Sequence, residues 1–546
     1  MSKGQSGWDD IIDAPQPEES YPVPDVFEPE LYKEPAKVEG SAAERLKSGP
    51  SQATEIVRLA RSRYTVVRGD DSKTYAVQHS LPGIAFGLRG DGGLRQQLAA
   101  AYYDDKGRVA SGGALSDALA VLEGDALQAT EARVAIRLGK HEESVVLDLG
   151  APDAHAVVVS ADGWQIVESA PILFRRTKAT LALPSPSRTG TLEKLRALLN
   201  VDESGFRLIV GWLIGAMLVD SPHPILALTG QQGTAKTTAA TLILSLIDPS
   251  PASMQSQPRD EENWAVSAFN AYGIGLDNIS RMAPWFQDAL CKAVTGAAFV
   301  RRERYSDDSI SVLKFRRPIV ITTIDPGALQ GDVADRLLPI ELQPISKRHR
   351  LTDAEVSAAA DKIRAMTLGA LLDLLAKVLE ALPDVELKEK PRMADFAQVL
   401  AAIDQVAGWQ TLRDYLTATT SAARDVVDGN SFATALVELV RSAGRWEGTC
   451  SDLLKEFGDG KHPVDWPKTP RAVAEQLSRL TPALAASGVE VYRPQERSNR
   501  GHLYKLTAIG ATQCTVCGQP MHAALASSGA TTHPTCDTTN EKETTS

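Results

Sequence analysis

The sequence predicts an α/β protein: a phosphate-loop core with a parallel sheet and a helical lid, preceded by another α/β domain and followed by a winged helix and a small zinc ribbon. Three observations carry this expectation. Residues 225–238 read ILALTGQQGTAKTT, an apolar run, a glycine-rich turn and a Lys-Thr pair that opens an apolar helix. Strand-like and helix-like stretches alternate around that segment, which implies a parallel sheet with its ligand at the carboxyl ends of the strands. Near the other end, two pairs of metal-type ligands stand at two-residue spacings.

Residues 1–50 hold eleven Asp/Glu against five Lys/Arg, with many prolines and no periodicity, the composition of a disordered acidic arm. Residues 51–188 form the N-terminal α/β domain. Strands are expected at 64–68, 75–78, 84–88, 132–138, 144–149 and 156–160, and helices at 94–103 and 115–122. No motif there declares a role; Asp148 is a lone candidate site carboxylate, and a structural Asp at a strand end is the commoner meaning. Residues 189–350 form the core, where the strand at 225–228 is followed by a helix (264–269), a strand (272–276), a helix (285–294) and a strand (318–322). The apolar stretch 208–219 is too short to span a bilayer and reads as a buried helix.

Residues 351–428 are almost wholly helical, with helices expected at 354–382 and 393–406, and form the lid. Residues 429–510 predict three helices (432–443, 451–457, 471–484) and two strands (489–492, 503–506) around the polar turn RPQERSNRGH, a winged-helix-like pattern. Arg493, Arg497, Arg500 and Lys505 on the wing, with Arg471 and Arg479 on the third helix, are candidate DNA-phosphate contacts. A packing module that holds a partner protein fits the same pattern. In residues 511–546, Cys514-x2-Cys517 and His533-x2-Cys536 supply three thiolates and one imidazole, a set suited to structural tetrahedral Zn²⁺ with no open position for catalysis.

The chemistry is expected at the loop Gly230, Gln231, Gln232, Gly233, Thr234, Ala235, Lys236, Thr237, Thr238. A strand that feeds a helix through such a turn aims backbone N–H groups and the helix's positive end at one point. Lys236 would reach the β- and γ-phosphates of ATP, and the Thr237 hydroxyl would complete a Mg²⁺ shell. Ala235 stands where the usual pattern has Gly; it is tolerable in a helical conformation and costs about 1–2 kcal/mol in a left-handed one. Asp277, at the end of the buried run Ile274-Gly275-Leu276, is placed to hold Mg²⁺ through water. Asn278 follows it and cannot be a general base, although its amide could orient water; Glu303 is an alternative carboxylate.

Thr322 ends the next strand and is expected between the strands bearing Lys236 and Asp277. Arg336, in Asp335-Arg336-Leu337-Leu338, is the candidate arginine finger for a neighbouring subunit's nucleotide, and Arg392 the candidate second arginine acting within the chain. Surface ion pairs are the plainer reading of both arginines. Between Asp277 and Thr322, residues 299–317 read as a β-hairpin with six Lys/Arg, among them Arg301, Arg302, Arg304 and Lys314, against three acids. Tyr305 near its tip could stack on a base. A hairpin whose charges merely cover the core is the alternative.

The 546-residue chain is 43% hydrophobic and 23% charged, as ordinary globular proteins are. No basic-apolar-small leader opens it, and the five cysteines suggest metal ligation in a reducing cytoplasm rather than a disulfide framework. The net charge of −11 does not exclude nucleic acid, because the N-terminal arm supplies over half of it while residues 441–505 carry eleven Lys/Arg against eight Asp/Glu.

In the order of its phosphate loop, acidic strand, basic hairpin, Thr-ended strand and DRLL arginine, the chain resembles AAA+ ATPases, specifically the superfamily III hexameric helicases of viruses and mobile elements. The phrases GQQGTAKTT, LIDPSP, LDN and PRMADF are similar to the ATP-binding replication proteins of actinobacterial phages and integrated elements. The resemblance covers roughly 190–510. It implies an ATP-dependent DNA helicase or translocase with ATP and Mg²⁺ bound between the subunits of a ring, probable size six, whose hairpin grips single-stranded or forked DNA in the pore. It also implies a replication partner protein, no membrane, and a place in the bacterial cytoplasm, the host's where a phage carries the gene. The alternative it leaves open is a nucleotide-switched loader or regulator with little hydrolysis. Two positions depart from the family pattern: Asn278 where an acid is usual, and Thr322 where Asn is common.

Overall fold

The computed structural model describes residues 50–509 apart from 91, 281, 303–309, 325–330, 389, 459, 461, 464–465, 495–496 and 499–500. The fold is mixed α/β. The chain enters through α1 (Gln52–Arg63), β1 (Tyr64–Gly69), β2 (Thr74–Gln78), β3 (Ala85–Gly87), α2 (Leu94–Lys106), α3 (Gly112–Gln128) and β4 (Glu131–Ala132). Its four strands make a sheet in the order β3-β2-β1-β4, and the helices close a small core of their own around Ile56, Leu98, Tyr102, Ala118 and Leu122.

The single strand expected at 132–138 is broken. It becomes β4, then β5 (Val134–Ala135), and then the first residue of β6 (Leu138–His141). The first interruption is at Arg133 and the second at Arg137, whose φ is 58° and whose side chain is buried. There the guanidinium donates to Asp248 Oδ1 (2.8 Å) and to the carbonyls of Asp148 and Leu181. β6 continues into β7 (Ser144–Asp148), β8 (Ala156–Ser160) and β9 (Gly163–Val167) as an antiparallel meander, and β10 (Leu173–Phe174) pairs in parallel with β5. Asp148 is structural: it is buried, takes both forks of Arg176 (2.7 and 3.0 Å) and accepts from Gly150 N–H.

The meander shares one hydrophobic cluster with the core and the lid, through Ile136, Leu147, Val157 and Trp164. Residues 51–188 therefore divide into a part with a core of its own, joined to the meander through Ile84 and Phe174, and a part built into the remainder of the molecule.

The core holds α4 (Glu193–Leu198), the buried α5 (Glu203–Met217), β11 (Ile225–Thr229), α6 (Lys236–Ser245), β12 (Met254–Gln255), α7 (Glu261–Asn270), β13 (Ile274–Leu276), α8 (Pro284–Thr295), the hairpin strands β14 (Ala298–Arg302) and β15 (Ile310–Lys314), β16 (Ile319–Thr322) and β17 (Leu337–Glu341). Five of the strands form a wholly parallel sheet in the order β12-β13-β16-β11-β17. Alternate residues feed opposite faces, as the two-residue period of a strand requires. Leu226, Leu228, Val320 and Leu338 join the cluster shared with α5 and the lid, while Ile225, Ala227, Ile274, Ile319 and Ile321 join the one beneath α7 and α8. Both faces are covered, which is why these strands read as continuous apolar runs.

The lid consists of α9 (Asp353–Ala381), α10 (Ala394–Ala407) and α11 (Thr411–Asp428). A reciprocal Thr352–Glu355 capping box starts α9. The C-terminal unit contains α12 (Ser431–Ala443), β18 (Arg445–Thr449), α13 (Cys450–Phe457), α14 (Pro470–Ala486), β19 (Val489–Tyr492), β20 (Arg497–Ser498) and β21 (Gly501–Ala508), with an antiparallel sheet in the order β18-β21-β19. Strand β18 was not expected from the sequence. Phe432, Phe457 and Trp466 meet edge to face in its core. Among the described residues no helix is long and apolar enough to cross a membrane.

Candidate active site

β11 ends at Thr229, and the chain turns through Gly230–Ala235 into α6. Gly230 has φ 138°, and a Cβ there would lie 2.9 Å from the Leu342 carbonyl oxygen, so glycine is needed both for conformation and for room. Thr234 is buried and its hydroxyl donates to Gln231 O (2.9 Å), which closes the turn. Ala235 adopts the left-handed conformation, φ 60° and ψ 36°, so the costlier of its two alternatives holds. As the cap of α6 it offers no side-chain acceptor, and the first N–H groups of the helix face the loop.

Lys236 Nζ donates to Gly230 O (2.8 Å) and Gln231 O (2.9 Å). Burial holds its pKa below the usual lysine range, with Asp277 acting in the opposite direction. The Thr237 hydroxyl donates to Asp277 Oδ1 (2.8 Å). Because β16 lies between β11 and β13, Thr322 is brought to the same carboxylate: its hydroxyl donates to Asp277 Oδ1 (2.7 Å) and accepts from Asn278 N–H (2.8 Å). Lys236, Thr237, Asp277 and Thr322 thus converge at the carboxyl ends of three strands. Asn278 has φ 53°, a region that Asn tolerates better than Glu does, and its side chain is exposed. Gln231, Gln232 and Gly233 are exposed on the loop, and Thr238 is half-buried in the first turn of α6.

The arginines lie elsewhere. Arg336 ends a 3-10 turn (Gly331–Arg336) that leads into β17, where Leu337 pairs with Ile225 at the start of β11. It is therefore at the opposite end of the sheet from the loop, about 13 Å away along β11 alone at roughly 3.3 Å per residue. Arg392, expected beside the nucleotide, instead pairs with Asp335 (2.6 Å) at that same far end. The helix-start segment carrying it meets the edge strand β17 there, not the phosphate loop. Sequence reading missed Arg350: its Nη2 lies 3.3 Å from the position a Cβ on Gly233 would take. A lone arginine in a connector carries no periodic signal, and only its place between the last core strand and the lid could have pointed to it.

The hairpin forms as expected. Phe299 and Leu313 are buried on its inner face, with Phe299 stacked on Phe315 (4.9 Å), while Val300, Val312 and Lys314 are exposed on the outer face. Arg301 and Arg302 end β14, and their side chains, like Glu303, Arg304 and Tyr305, lie outside the described residues. Arg316 and Arg317 are structural, donating to Thr295 O and to the carbonyls of Ala268 and Phe269.

In the C-terminal unit the Arg493 guanidinium sits over the Tyr504 ring (5.8 Å), and Lys505 pairs with Glu447. The Arg497 side chain and Arg500 lie outside the described residues, as do Cys514, Cys517, His533 and Cys536. Helix α14 packs on α11 through one side, and Arg479 and Gln476 line a cavity of about 380 Å³ with Asp335, Leu337 and Arg392. Arg479 lines that cavity and is itself exposed. Arg471 is exposed and pairs with Glu475 (3.0 Å).

A parallel sheet whose glycine-rich loop sets a lysine and a threonine against an aspartate from the next strand but one defines a phosphate-loop α/β protein. Residues 192–425 match the model of the actinomycete integrative conjugative element replication protein, and residues 432–520 match the AICE RepA C-terminal domain. Together the two matches take in more than half of the chain, and the chain belongs to this family of mobile-element replication proteins. A comparison with curated proteins found no match. Among solved structures, "SCCmec type IV Cch - active helicase" is 12% identical, with 82% of this chain and 93% of that one covered at a TM-score of 0.41. The apo NrS-1 C terminal region is 14% identical, with 84% and 100% covered and a TM-score of 0.37.

Proposed function

We propose that this replication protein is an ATP-driven DNA translocase of AAA+ type that works as a ring. The observation that carries the reading is the meeting of Thr237 and Thr322 on one oxygen of Asp277, beside the loop that holds Lys236. A hydroxyl and a carboxylate so placed suit a Mg²⁺ ion bridging the β- and γ-phosphates, with Lys236 and the open N–H groups of α6 as the phosphate cradle. Arg336, at the far end of the sheet, suits a finger that enters a neighbour's site and not its own. The exposed hairpin face with Val300, Val312 and Lys314, in a segment whose sequence also holds Arg301, Arg302 and Arg304, suits a strand of DNA held by phosphate contacts and apolar packing.

The C-terminal unit follows the helix–strand–helix–helix–strand–strand order of a winged helix. Its candidate DNA contacts are Arg493, Arg497 and Arg500 on the wing and the exposed Arg471 and Arg479 on α14. The tail would add a structural zinc held by Cys514, Cys517, His533 and Cys536; elemental analysis of the purified full chain that finds no zinc removes that part. The test of the whole reading is ATP turnover with and without single-stranded DNA. We expect turnover that DNA stimulates and that Lys236→Ala abolishes, and turnover indifferent to DNA would refute it. A second reading, a nucleotide-switched loader, is favoured by Asn278, which supplies no carboxylate to the attacking water. It expects tight ATP binding, ring assembly and almost no turnover in the same assay.

A further inference from the structure

We propose that Arg350, at the joint between the sheet and the lid, binds the phosphates of the nucleotide on the 230–237 loop, the part that sequence reasoning gave to Arg392. The proposal rests on the reading of that loop as an ATP site. After β17 the chain runs alongside the loop, with Leu342 N–H donating to Thr229 O (2.9 Å). A 3-10 turn (Lys347–His349), braced by Ser346 Oγ and His349 Nδ1 at 2.9 Å, then reverses it and delivers Arg350 over Gly233. The guanidinium occupies the room a side chain at Gly233 would take: Nη2 would be 3.3 Å and Cζ 4.0 Å from a Cβ there.

The electrostatics of this arrangement call for an anion. Arg350 is exposed, and among the described residues it makes no recorded hydrogen bond or ion pair. It lies over Gly233, on the loop that leads into the N-terminal end of α6, whose backbone N–H groups are of the same sign. A guanidinium held over such a loop adds to its positive potential, which a polyanion would neutralise. Its planar fork of N–H donors matches phosphate oxygens, whereas a single carbonyl oxygen would use only part of it.

The position also has a mechanical consequence. Arg350 stands three residues before α9, whose start is locked by the Thr352–Glu355 capping box, with Thr352 N–H donating to Glu355 Oε2 at 2.7 Å. A phosphate that draws Arg350 toward the loop therefore pulls on the end of a 29-residue lid helix.

The test is equilibrium titration of the full chain with a fluorescent ATP analogue. Arg350→Ala should weaken binding about tenfold to a hundredfold, the range of one charge-assisted hydrogen-bonded contact. Arg350→Lys should recover part of the loss, and Arg348→Ala, on the same exposed turn, should bind as the wild type does. Three results overturn the proposal: Arg350→Ala binding normally while Lys236→Ala has lost binding, Arg348→Ala losing as much as Arg350→Ala, or a lysine variant no better than the alanine. The first leaves the ATP reading standing. A wild-type chain that binds no nucleotide overturns both.

Discussion

Ala235 shows how a single residue can be read correctly in type and left undecided in conformation. The spacing of Gly230, Gly233, Lys236 and Thr237 identifies a phosphate loop, yet nothing in a list of side chains says whether the residue before the lysine is helical. The structure puts it at φ 60°, where a Cβ costs about 1–2 kcal/mol. Ala235→Gly should therefore raise thermal stability, by up to about 1 kcal/mol once the extra unfolded-state entropy of glycine is offset, and keep ATP binding. An unchanged or lower melting temperature would mean that the strain is relaxed elsewhere. Asp277 and Thr322 were legible because a polar residue that ends a buried apolar run can hardly do anything but sit at a strand's carboxyl edge. Arg350 was not, since its partner is a glycine over a hundred residues earlier and it shares no pattern with it.

Among the elements, strands that are buried on both faces and helices that start at a Pro or a capping residue appeared where the sequence placed them. Failures came where tertiary contacts overrode local pattern. The stretch 132–138 alternates like a strand, but Arg137 leaves the extended region so that its guanidinium can reach Asp248, 111 residues away. The packing of the third helix of the C-terminal unit on α11 likewise left no local mark, and Arg479, although exposed, lines a cavity with Asp335 and Arg392. The hairpin was legible through its two-residue alternation, which sends Phe299 and Leu313 inward and leaves Lys314 outside. Replacing Arg302 and Lys314 together with Ala should weaken single-stranded DNA binding. It should also flatten the dependence of log affinity on log salt by about 0.7 per lost phosphate contact. Identical slopes for variant and wild type would reduce the hairpin to a cover for the core.

At the scale of the whole molecule, the meander binds the N-terminal region to the parallel-sheet core. Arg137 and Asp248 form a fully buried ion pair (2.8 Å), and Asp248 also takes the N–H groups of Tyr272 and Gly273 just before β13. On the lid side, Trp164 Nε1 donates to Asp373 on α9 (2.7 Å) under the Arg188 guanidinium. Removing one partner of a buried pair strands the other charge, so Arg137→Ala should cost about 3–5 kcal/mol in denaturant unfolding of the full chain. A loss under 1 kcal/mol would mean that water reaches Asp248 and that the meander is only loosely attached. Sequence reading drew a domain boundary at 188, and the burial shared across it leaves no local mark in the chain. The distance between Arg336 and its own loop makes the central claim of shared sites directly measurable. Lys236→Ala and Arg336→Ala, each inactive alone, are mixed with single-stranded DNA and ATP, and turnover is followed. Shared sites predict that activity returns on mixing, because the first chain lends its arginine to the second chain's intact loop. Mixed rings confirmed by mass that still hydrolyse nothing would contradict the account.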